Sequence, residues 1–280
     1  MQICKTVDEF RVARRDLAGA GSVGLVPTMG YLHEGHLSLV RASVEQNDFT
    51  AASLFVNPAQ FNNPQDLELY PRDEARDMAL FEESGVDLVL MPSPDAMYPP
   101  GFQTYVEVEK IAQGLEGEHR LGHFKGVATV VLKLFNITQP NRAYFGQKDA
   151  QQVAVIRQMA RDLNLPIEIV VCPILREADG LAMSSRNARL SEAQRAAAPS
   201  VYRALQAAKS QYGAGDRHPD KLRAAMQQIL DAEPLAQVNY ISAADADSLQ
   251  ELEAPSEGPI LLSLAVFFGD VRLIDNLILE

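Results

Sequence analysis

The stretch VGLVPTMGYLHEGHLSLV, residues 23–40, combines an apolar strand, a glycine-bearing turn and the first turns of a helix. The apolar start is typical of a strand that is covered on both faces. Pro27 closes this strand, and a helix is expected to begin near Gly35 or His36. Apolar side chains then follow at helical spacing, at Leu37, Val40 and Val44. A strand that leads through a tight turn into a helix predicts a βαβ unit and hence a parallel sheet.

The alternation of strands and helices continues to about residue 175. Four further apolar runs predict strands: TAASLFV (50–56), DLVLM (87–91), AYF (143–145) and IEIVV (167–171). Two more helical stripes consist of Val127, Val130, Val131 and Leu134, and of Val153, Ile156, Ala160 and Leu163. With right-handed crossovers, this pattern predicts an α/β protein with a Rossmann-like, doubly wound parallel sheet, which binds ligands beyond the carboxyl ends of its strands.

The pattern changes after residue 175. SEAQ (191–194) is a capping box in front of a long alanine-rich helix that is expected to reach Gln211, and a second helix follows GDRHPD and ends near Ala232. The runs VNYIS, ILLSLAVFF and VRLIDNLIL then predict strands joined by short turns. We therefore expect a Rossmann-like ligand-binding domain at 1–175 and a smaller C-terminal α+β domain at 176–280 that acts as a lid.

Composition limits the class of partner. The chain has 25 Lys and Arg against 37 Asp and Glu, a net charge of −12, whereas a nucleic-acid-binding protein needs a basic surface. No run of 18 apolar residues predicts a membrane span, and the charged start MQICKTVDEFRVARRDL does not resemble a signal peptide. Cys4 and Cys172 lack metal-binding spacing, which favours a reducing compartment. We expect a cytoplasmic protein that binds neither membranes nor nucleic acids.

His33 and His36 are two of the five histidines, and they lie between a strand's carboxyl end and a helix's amino end. Free backbone N–H groups and the helix dipole favour an anion there, and an imidazole can donate hydrogen bonds to phosphate oxygens. An isolated histidine at a helix start is more often a cap or a surface residue. Two histidines framed by Gly30 and Gly35 favour a phosphate site, whereas zinc would need a third ligand and the H-E-x-x-H spacing is absent.

Other polar motifs follow predicted strands or flank the helices. Asn57 and Gln60, in FVNPAQF, carry amides that suit hydroxyl and carbonyl groups of a substrate. Lys148, in FGQKDAQQ, is a compact cation for phosphate oxygens, although a lysine beside Asp149 is often only a surface residue. Gln152 lies one turn further along the helix, where its side chain can reach the same cleft.

Three segments have both a binding and an ordinary interpretation. MSSRN (183–187) offers two hydroxyl groups and a guanidinium that can close over an anion, or it is an ordinary loop. EHRLGHFKG (118–126) is a solvated connection, or a flap that brings Arg120 to the cleft. Asp73 and Asp77 can help to hold magnesium, but spaced carboxylates on an amphipathic helix usually form its wet face.

Taken together, these motifs resemble the pantoate–β-alanine ligase (pantothenate synthetase) family, within the wider nucleotidylyl-transferase and class I synthetase group. The resemblance rests on PTMGYLHEGH, FVNPAQF, YPRD, GHFKGVATVV, FGQKDAQQ and MSSRN, in this order along essentially the whole chain. It implies that ATP activates the carboxylate of (R)-pantoate as pantoyl adenylate, with release of pyrophosphate. The amine of β-alanine then displaces AMP and gives pantothenate.

The resemblance also implies roles for single residues. His36 would be the proton donor and His33 its partner on the phosphates, with Lys148 and the Ser184–Arg186 segment also in the catalytic set. The ATP site would consist of Met29, Gly30, Tyr31, Leu32, His33, Glu34, Gly35, His36, Gly146, Gln147, Lys148, Asp149, Leu175, Met183, Ser184, Ser185 and Arg186. Gln60 and Gln152 would bind pantoate, Gln60 would also lie near β-alanine, and Asn57 and Arg120 would support them.

Magnesium is expected mainly on the oxygens of ATP, with no protein ligand assigned and no tightly bound organic cofactor. The resemblance further implies a homodimer. Three alternatives compete with this interpretation: a nucleotidyltransferase that leaves the nucleotide on its product, a tRNA synthetase, and a non-catalytic nucleotide sensor. A nucleotidyltransferase would have no reason to carry the glutamines of FVNPAQF and GQKDAQQ. A tRNA synthetase would need a basic RNA-binding domain. A non-catalytic sensor would have no need for His36, Lys148 and Arg186 together.

Overall fold

In the computed structural model, which describes residues 1–19 and 21–280, the predicted parallel sheet has six strands in the order β1-β4-β3-β2-β5-β6. The strands are β1 (Gln2–Cys4), β2 (Val23–Thr28), β3 (Phe49–Leu54), β4 (Leu88–Leu90), β5 (Arg142–Gly146) and β6 (Glu168–Cys172). All five pairings are parallel. The Rossmann-like fold is confirmed, and β1, at the edge of the sheet, is the one strand of this sheet that was not predicted.

The strand order reverses beside β2. From β2 the chain moves outward through β3 and β4, and it later returns to pair β5 with the opposite side of β2. In a doubly wound sheet, ligands bind at this switch point, where the connections leave to opposite faces. The turn that contains His33 and His36 follows β2 and therefore starts at the switch point.

Helices cover both faces of the sheet. The helices of the first half are α1 (Val7–Ala18), α2 (Glu34–Gln46), α3 (Pro64–Glu68), α4 (Glu74–Glu83), α5 (Pro94–Met97), α6 (Glu116–His119), α7 (His123–Thr138) and α8 (Ala150–Asp162). Phe10 of α1 and much of α7 and α8 pack on one face, whereas Val40 of α2 and Phe81 of α4 pack on the other. Two stripe positions were predicted wrongly: Val44 is 41% exposed, and Leu163 is 47% exposed because it lies just past the end of α8.

The chain divides into two compact units. The first consists of residues 1–146 and 152–173, and the second of residues 147–151 and 174–280. The short segment Gln147–Gln151 thus belongs with the C-terminal residues, although it follows β5 directly.

In the second unit, three helices pack on an antiparallel sheet. The sheet has the order β7-β8-β9, with β7 (Gln237–Asp245), β8 (Ile260–Phe268) and β9 (Val271–Leu279), and the helices are α9 (Glu192–Ala197), α10 (Ser200–Gly213) and α11 (Pro219–Asp231). The α+β architecture is confirmed, and so is the capping box at Ser191 and Gln194. One long helix from this box was wrong, because the chain is interrupted before Ser200 at Pro199, which has no N–H to continue the helix. Among the described residues, no helix is long and apolar enough to cross a membrane.

Candidate active site

The two histidines of the turn form an unusual capping box at the start of α2. His33 is the N-cap, and its Nδ1 accepts a hydrogen bond from the Gly35 N–H at 3.1 Å. His36 Nδ1 accepts in turn from the His33 N–H at 3.3 Å. The ring centroids lie 4.0 Å apart. The cap and the candidate phosphate site are therefore the same pair of side chains, and the helix begins at Glu34, just before the predicted start.

These two hydrogen bonds determine the tautomers of both imidazoles. A backbone N–H can only donate, so each Nδ1 must be unprotonated and each ring must carry its proton on Nε2. Both rings therefore offer an Nε2–H donor while their other nitrogen holds the helix start. Two such donors at the carboxyl end of β2 suit oxygens of a phosphate group.

The turn itself is supported by Asp77 of α4. The two oxygens of this carboxylate accept hydrogen bonds from the Tyr31 and Leu32 N–H groups, each at 2.7 Å. Asp77 is only 1% exposed, so its placement on a wet helix face was wrong. Helical periodicity reports which residues share a face, but it cannot report that a buried carboxylate finds backbone donors in another segment. Burial raises the pKa of Asp77, although the two amides and Arg76 act in the opposite direction.

Asn57 and Gln60 lie together beyond β3, where Asn57 is the N-cap and Gln60 the last residue of a short 3-10 helix, Pro58–Gln60. Asn57 Nδ2 donates to Gln60 Oε1 at 3.0 Å, and Tyr98 Oη donates to Asn57 Oδ1 at 2.8 Å. Gln60 Nε2 donates to Met29 Sδ at 3.0 Å, which joins this pair to the turn after β2. Tyr98 was not a candidate from sequence. Its burial raises its pKa to about 12, so it remains a hydroxyl donor at neutral pH.

Arg120 is held close to the same pair through His123. His123 Nδ1 lies 2.8 Å from the Gln60 carbonyl oxygen, and its Nε2 lies 3.0 Å from Arg120 Nη1. Because a carbonyl can only accept and a guanidinium can only donate, His123 carries its proton on Nδ1 and is neutral. The segment 118–126 is only partly buried: His123 is 5% exposed, whereas Leu121 is 78% exposed and Glu118, His119 and Lys125 are exposed as well. Both of its interpretations, the solvated connection and the flap that brings Arg120 to the cleft, therefore stay open.

In the second unit, Asn276 of β9 holds the segment that carries Lys148. Its Nδ2 donates to the backbone carbonyls of Gln147 and Lys148 at 3.0 and 2.8 Å, and its Oδ1 accepts from Gln147 Nε2 at 3.1 Å. Lys148 Nζ lies 3.8 Å from Asp149 and is partly exposed. Sequence reasoning missed Asn276, although its position beside Asp275 inside the apolar strand VRLIDNLIL was an available signal.

A buried ion pair between Asp275 and Arg176 links β9, which holds the Lys148 segment, to the second candidate segment of the unit, which begins at Leu175. Arg176 binds Asp275 through two hydrogen bonds of 2.5 and 3.0 Å, and its guanidinium lies 4.1 Å from the Tyr202 ring centroid. Asp275 Oδ1 also accepts from the Asn276 N–H at 2.8 Å. Two neighbouring residues of β9 therefore hold two segments: Asn276 holds the Lys148 segment, and Asp275 holds the chain around Arg176.

The residues from MSSRN are brought together with Leu175. The Met183 N–H donates to the Leu175 carbonyl at 3.0 Å, and a β-bridge joins Arg176 to Ala182. Ser184 caps a 3-10 helix, Ser185–Arg189, by accepting from the Arg186 N–H at 3.3 Å. Leu175 and Met183–Arg186 thus form one local structure, and their role in binding ATP stays a prediction.

The remaining candidates lie at the edges of these groups. Glu34 is exposed and forms an ion pair with Arg41. Gly146 is the last residue of β5 and Gln152 is partly buried within α8.

Burial raises the pKa of the thiols of Cys4 and Cys172, which argues against a cysteine nucleophile.

A resident metal site does not fit the donor groups. Within residues 1–19 and 21–280, no group of three or more His, Cys, Asp or Glu side chains could hold a metal ion. The oxygens of Asp77 are engaged by two backbone amides. Magnesium usually keeps several waters and binds one or two carboxylates together with substrate phosphates, so it does not require such a cluster.

Comparison with known proteins gives a consistent result over the full length of the chain. A family model described as pantoate-beta-alanine ligase matches residues 2–278. The pantothenate synthetase of Roseiflexus castenholzii is 59% identical over 280 residues, and that of Herpetosiphon aurantiacus is 57% identical over 279 residues; each match covers 100% of both chains.

Solved structures agree. The pantothenate synthetase of Thermus thermophilus superposes with a TM-score of 0.93 at 46% identity, and the match covers 99% of each chain. The pantoate-beta-alanine ligase of Francisella tularensis has a TM-score of 0.82 at 36% identity, covering 99% of this chain and 97% of that one. The Francisella protein was crystallised with a beta-gamma ATP compound and beta-alanine.

Proposed function

The chain belongs to the pantoate-beta-alanine ligase family, and we propose on this premise that the two histidines after β2 and the Lys148 segment carry the adenylation step. The protein is an ATP-dependent carbon–nitrogen ligase that condenses pantoate with β-alanine. The roles of single residues, the magnesium ion and the assembly are our proposals.

In the first step, a carboxylate oxygen of pantoate attacks the α-phosphorus of ATP. A new oxygen–phosphorus bond forms as the bond to the β-phosphate breaks, which gives pantoyl adenylate and pyrophosphate. This displacement needs alignment and stabilisation of negative charge, and no protein nucleophile. The Nε2–H groups of His33 and His36 supply fixed donors, Lys148 supplies a positive charge, and Ser184–Arg186 supply further contacts to the phosphates.

In the second step, the unprotonated amine of β-alanine attacks the acyl carbon, AMP leaves with the electron pair of the broken carbon–oxygen bond, and the amine proton passes to solvent. Gln60 is proposed to bind both pantoate and β-alanine, and Gln152 to bind pantoate. Gln60 Oε1 accepts from Asn57 and one N–H of its NH₂ donates to Met29 Sδ, so the second N–H is the group that we propose is presented to an oxygen of the substrate.

The observation that carries the proposal is the paired tautomer of His33 and His36 at the switch point. A helix cap alone needs one acceptor, and serine or aspartate would supply it better. Two imidazoles that cap with Nδ1 and carry their protons on Nε2 support a ligand rich in oxygen. We propose that this ligand is ATP in its magnesium complex.

The direct test is pyrophosphate release with ATP, magnesium and pantoate, measured with and without β-alanine. We expect at most a stoichiometric burst without β-alanine, and turnover to AMP and pantothenate when all substrates are present. Nucleotide binding without pyrophosphate release, for pantoate and a panel of related acids, would instead favour the non-catalytic sensor. A product that retains the nucleotide would favour a nucleotidyltransferase.

Tyr98→Phe tests the amide network around Gln60. The change removes the hydroxyl that donates to Asn57, so the orientation of the Asn57 and Gln60 amides becomes less well defined. A neutral hydrogen bond contributes about 0.5–1.5 kcal/mol, so we expect the KM for pantoate to rise about 2–10-fold. Steady-state kinetics provides the measurement. Tyr105→Phe is the matched control because Tyr105 is half exposed, and an unchanged KM in Tyr98→Phe would contradict the proposed network.

Asn276→Ala tests the support of the Lys148 segment. The substitution removes three hydrogen bonds, two of them to main-chain carbonyls. Buried groups that lose a partner cost about 1–3 kcal/mol, so we expect a loss of unfolding free energy of this order in denaturant titration, together with weaker binding of MgATP. Ser263→Ala, at the position opposite Asn276 on β8, is the control because its hydroxyl has no hydrogen-bond partner among the described residues. Equal effects of the two changes would argue against this support.

We also propose that the protein is a cytoplasmic homodimer without nucleic-acid partners. The support is the net charge of −12, two buried cysteines that form no disulfide, and the family itself. We further propose that the residues after 175 act as a lid over the nucleotide. Sedimentation of the purified protein tests the dimer, because a monomer at micromolar concentration would refute it.

A further inference from the structure

The carboxylate of Asp77 completes the turn between β2 and α2. Its two oxygens accept from consecutive backbone N–H groups, those of Tyr31 and Leu32, at 2.7 Å each. The carboxylate comes from α4, 45 or more positions further along the chain, and it is 1% exposed. These contacts are shorter than an average amide hydrogen bond, as expected when the acceptor is ionised.

The backbone of the turn explains why an anion is needed there. Gly30 has φ of 87° and Tyr31 has φ of 52°, so both lie in the left-handed region, which a tyrosine rarely adopts. In such a conformation, successive N–H groups can point toward one concave side and form a site for an anion. A methyl group added at Gly30 would lie 3.0 Å from Asp77 Oδ2, which shows how closely the turn and the carboxylate fit.

The ordinary roles of an aspartate at a helix start do not account for Asp77. Asp73 is the N-cap of α4 and accepts from the Arg76 N–H at 3.1 Å. Asp77 lies a full turn inside the helix, and its oxygens are directed to another segment. The cap of α4 is therefore intact without Asp77.

We propose that Asp77 is a positioning residue for adenylation: by holding the Tyr31 and Leu32 amides, it fixes the turn from which the Nε2–H groups of His33 and His36 reach the phosphates. This inference rests on the proposed function of the two histidines. Asp77 is 1% exposed and both of its oxygens are engaged by these amides, so we assign it no direct contact with a substrate. Its effect on the reaction is transmitted through the backbone, which continues from Leu32 directly into the capping box.

Asp77→Asn is the most selective substitution with which to test this role. It keeps the shape of the side chain but places an NH₂ group opposite one of the two N–H donors, so one hydrogen bond is lost and the turn must shift. A displacement near 1 Å can reduce a rate by about 10²-fold, and we expect single-turnover pyrophosphate release to slow by roughly 10–10²-fold. The KM for pantoate and the reaction of enzyme-bound adenylate with β-alanine should change by less than about 3-fold, because Gln60 is joined to the turn at Met29, ahead of the two amides that Asp77 holds.

Asp73→Asn is the matched control. Asparagine caps a helix about as well as aspartate, so this variant removes a neighbouring carboxylate from the same helix and should keep the wild-type adenylation rate. Equal slowing of both half-reactions in Asp77→Asn would overturn the inference, since it would indicate general damage to the fold. A wild-type adenylation rate in Asp77→Asn would overturn it as well.

A second readout does not depend on catalysis. Long-range ¹H–¹⁵N NMR spectra distinguish the tautomers of His33 and His36, and we expect the Nε2–H form in the wild type and a mixture in Asp77→Asn. Unchanged tautomers in the variant would refute the positioning role, even if the wild type proved unable to release pyrophosphate and the proposed function failed. If Asp77→Asn does not fold, Asp77→Glu keeps the charge and displaces it by one methylene, and the same selective loss of adenylation is expected.

Discussion

His36→Ala is expected to slow pyrophosphate release from ATP and pantoate by about 10²–10⁴-fold, the range for groups that transfer a proton or stabilise developing charge. The substitution removes an Nε2–H donor that the capping box holds in one tautomer. It also removes the acceptor for the His33 N–H, so His33 loses part of its own support. Stopped-flow detection of pyrophosphate in a single turnover measures the chemical step without product release.

Two further variants separate chemistry from helix capping. His36→Asn can still offer an oxygen to the His33 N–H but has no donor at the position of Nε2, so its adenylation rate should remain close to that of His36→Ala. His218→Ala removes a partly exposed histidine that lies beside Asp220, and it should behave as the wild type. Recovery of most of the rate in His36→Asn would show that capping, and not charge stabilisation, is the role of this side chain.

Lys148→Gln is expected to lower the adenylation rate by about 10²–10³-fold, as the loss of a fixed charge-stabilising group does in other active sites. The lysine backbone is anchored by Asn276, so its ammonium is presented from a fixed segment and not from a mobile loop. Glutamine retains most of the length of the side chain and removes the charge. The KM for pantoate should change little, because the interaction is proposed to strengthen as charge develops on the phosphates.

The controls for Lys148 concern charge and geometry. Lys209→Gln removes an exposed lysine from the second unit and should leave the rate unchanged. Lys148→Arg keeps the charge on a bulkier, planar group, so an intermediate rate is expected. If Lys148→Gln raised only the KM for ATP and left the maximal rate intact, the lysine would bind the ground state and would not act in the transition state.

Much of the fold was predictable because its information is local. The apolar runs of β2 to β6 and the stripes of α7 and α8 follow from strand and helix periods. The three-residue strand β1 was missed because so short a stretch has no readable period. Val44 and Leu163 fit the helical spacing of the apolar residues in the sequence. In the structure both are exposed, because they lie beyond the surface that their helices bury.

The candidate site was predictable where a motif joins special residue types to a strand end. His33, His36, Asn57 and Gln60 were selected as candidates in this way, and the structure brings His33 together with His36 and Asn57 together with Gln60. Asp77 and Asn276 were not, because their importance arises from partners in other segments, which no spacing reveals. A buried polar residue in an apolar element is the one local sign, and it was available for Asn276 but not for Asp77, whose helix is polar on several sides.

The assignment of Gln147–Gln151 to the second unit has a consequence for how the chain can be divided. A fragment that ends at Pro173 would contain every strand of the parallel sheet, together with Lys148, but would lack the Asn276 amide that holds the lysine segment. The complementary fragment would contain Asn276 without its partners. A gene split at the apparent boundary should therefore yield two inactive halves whose mixing restores activity only if the short segment docks again, and a circular permutation that keeps both pieces on one chain should be tolerated better.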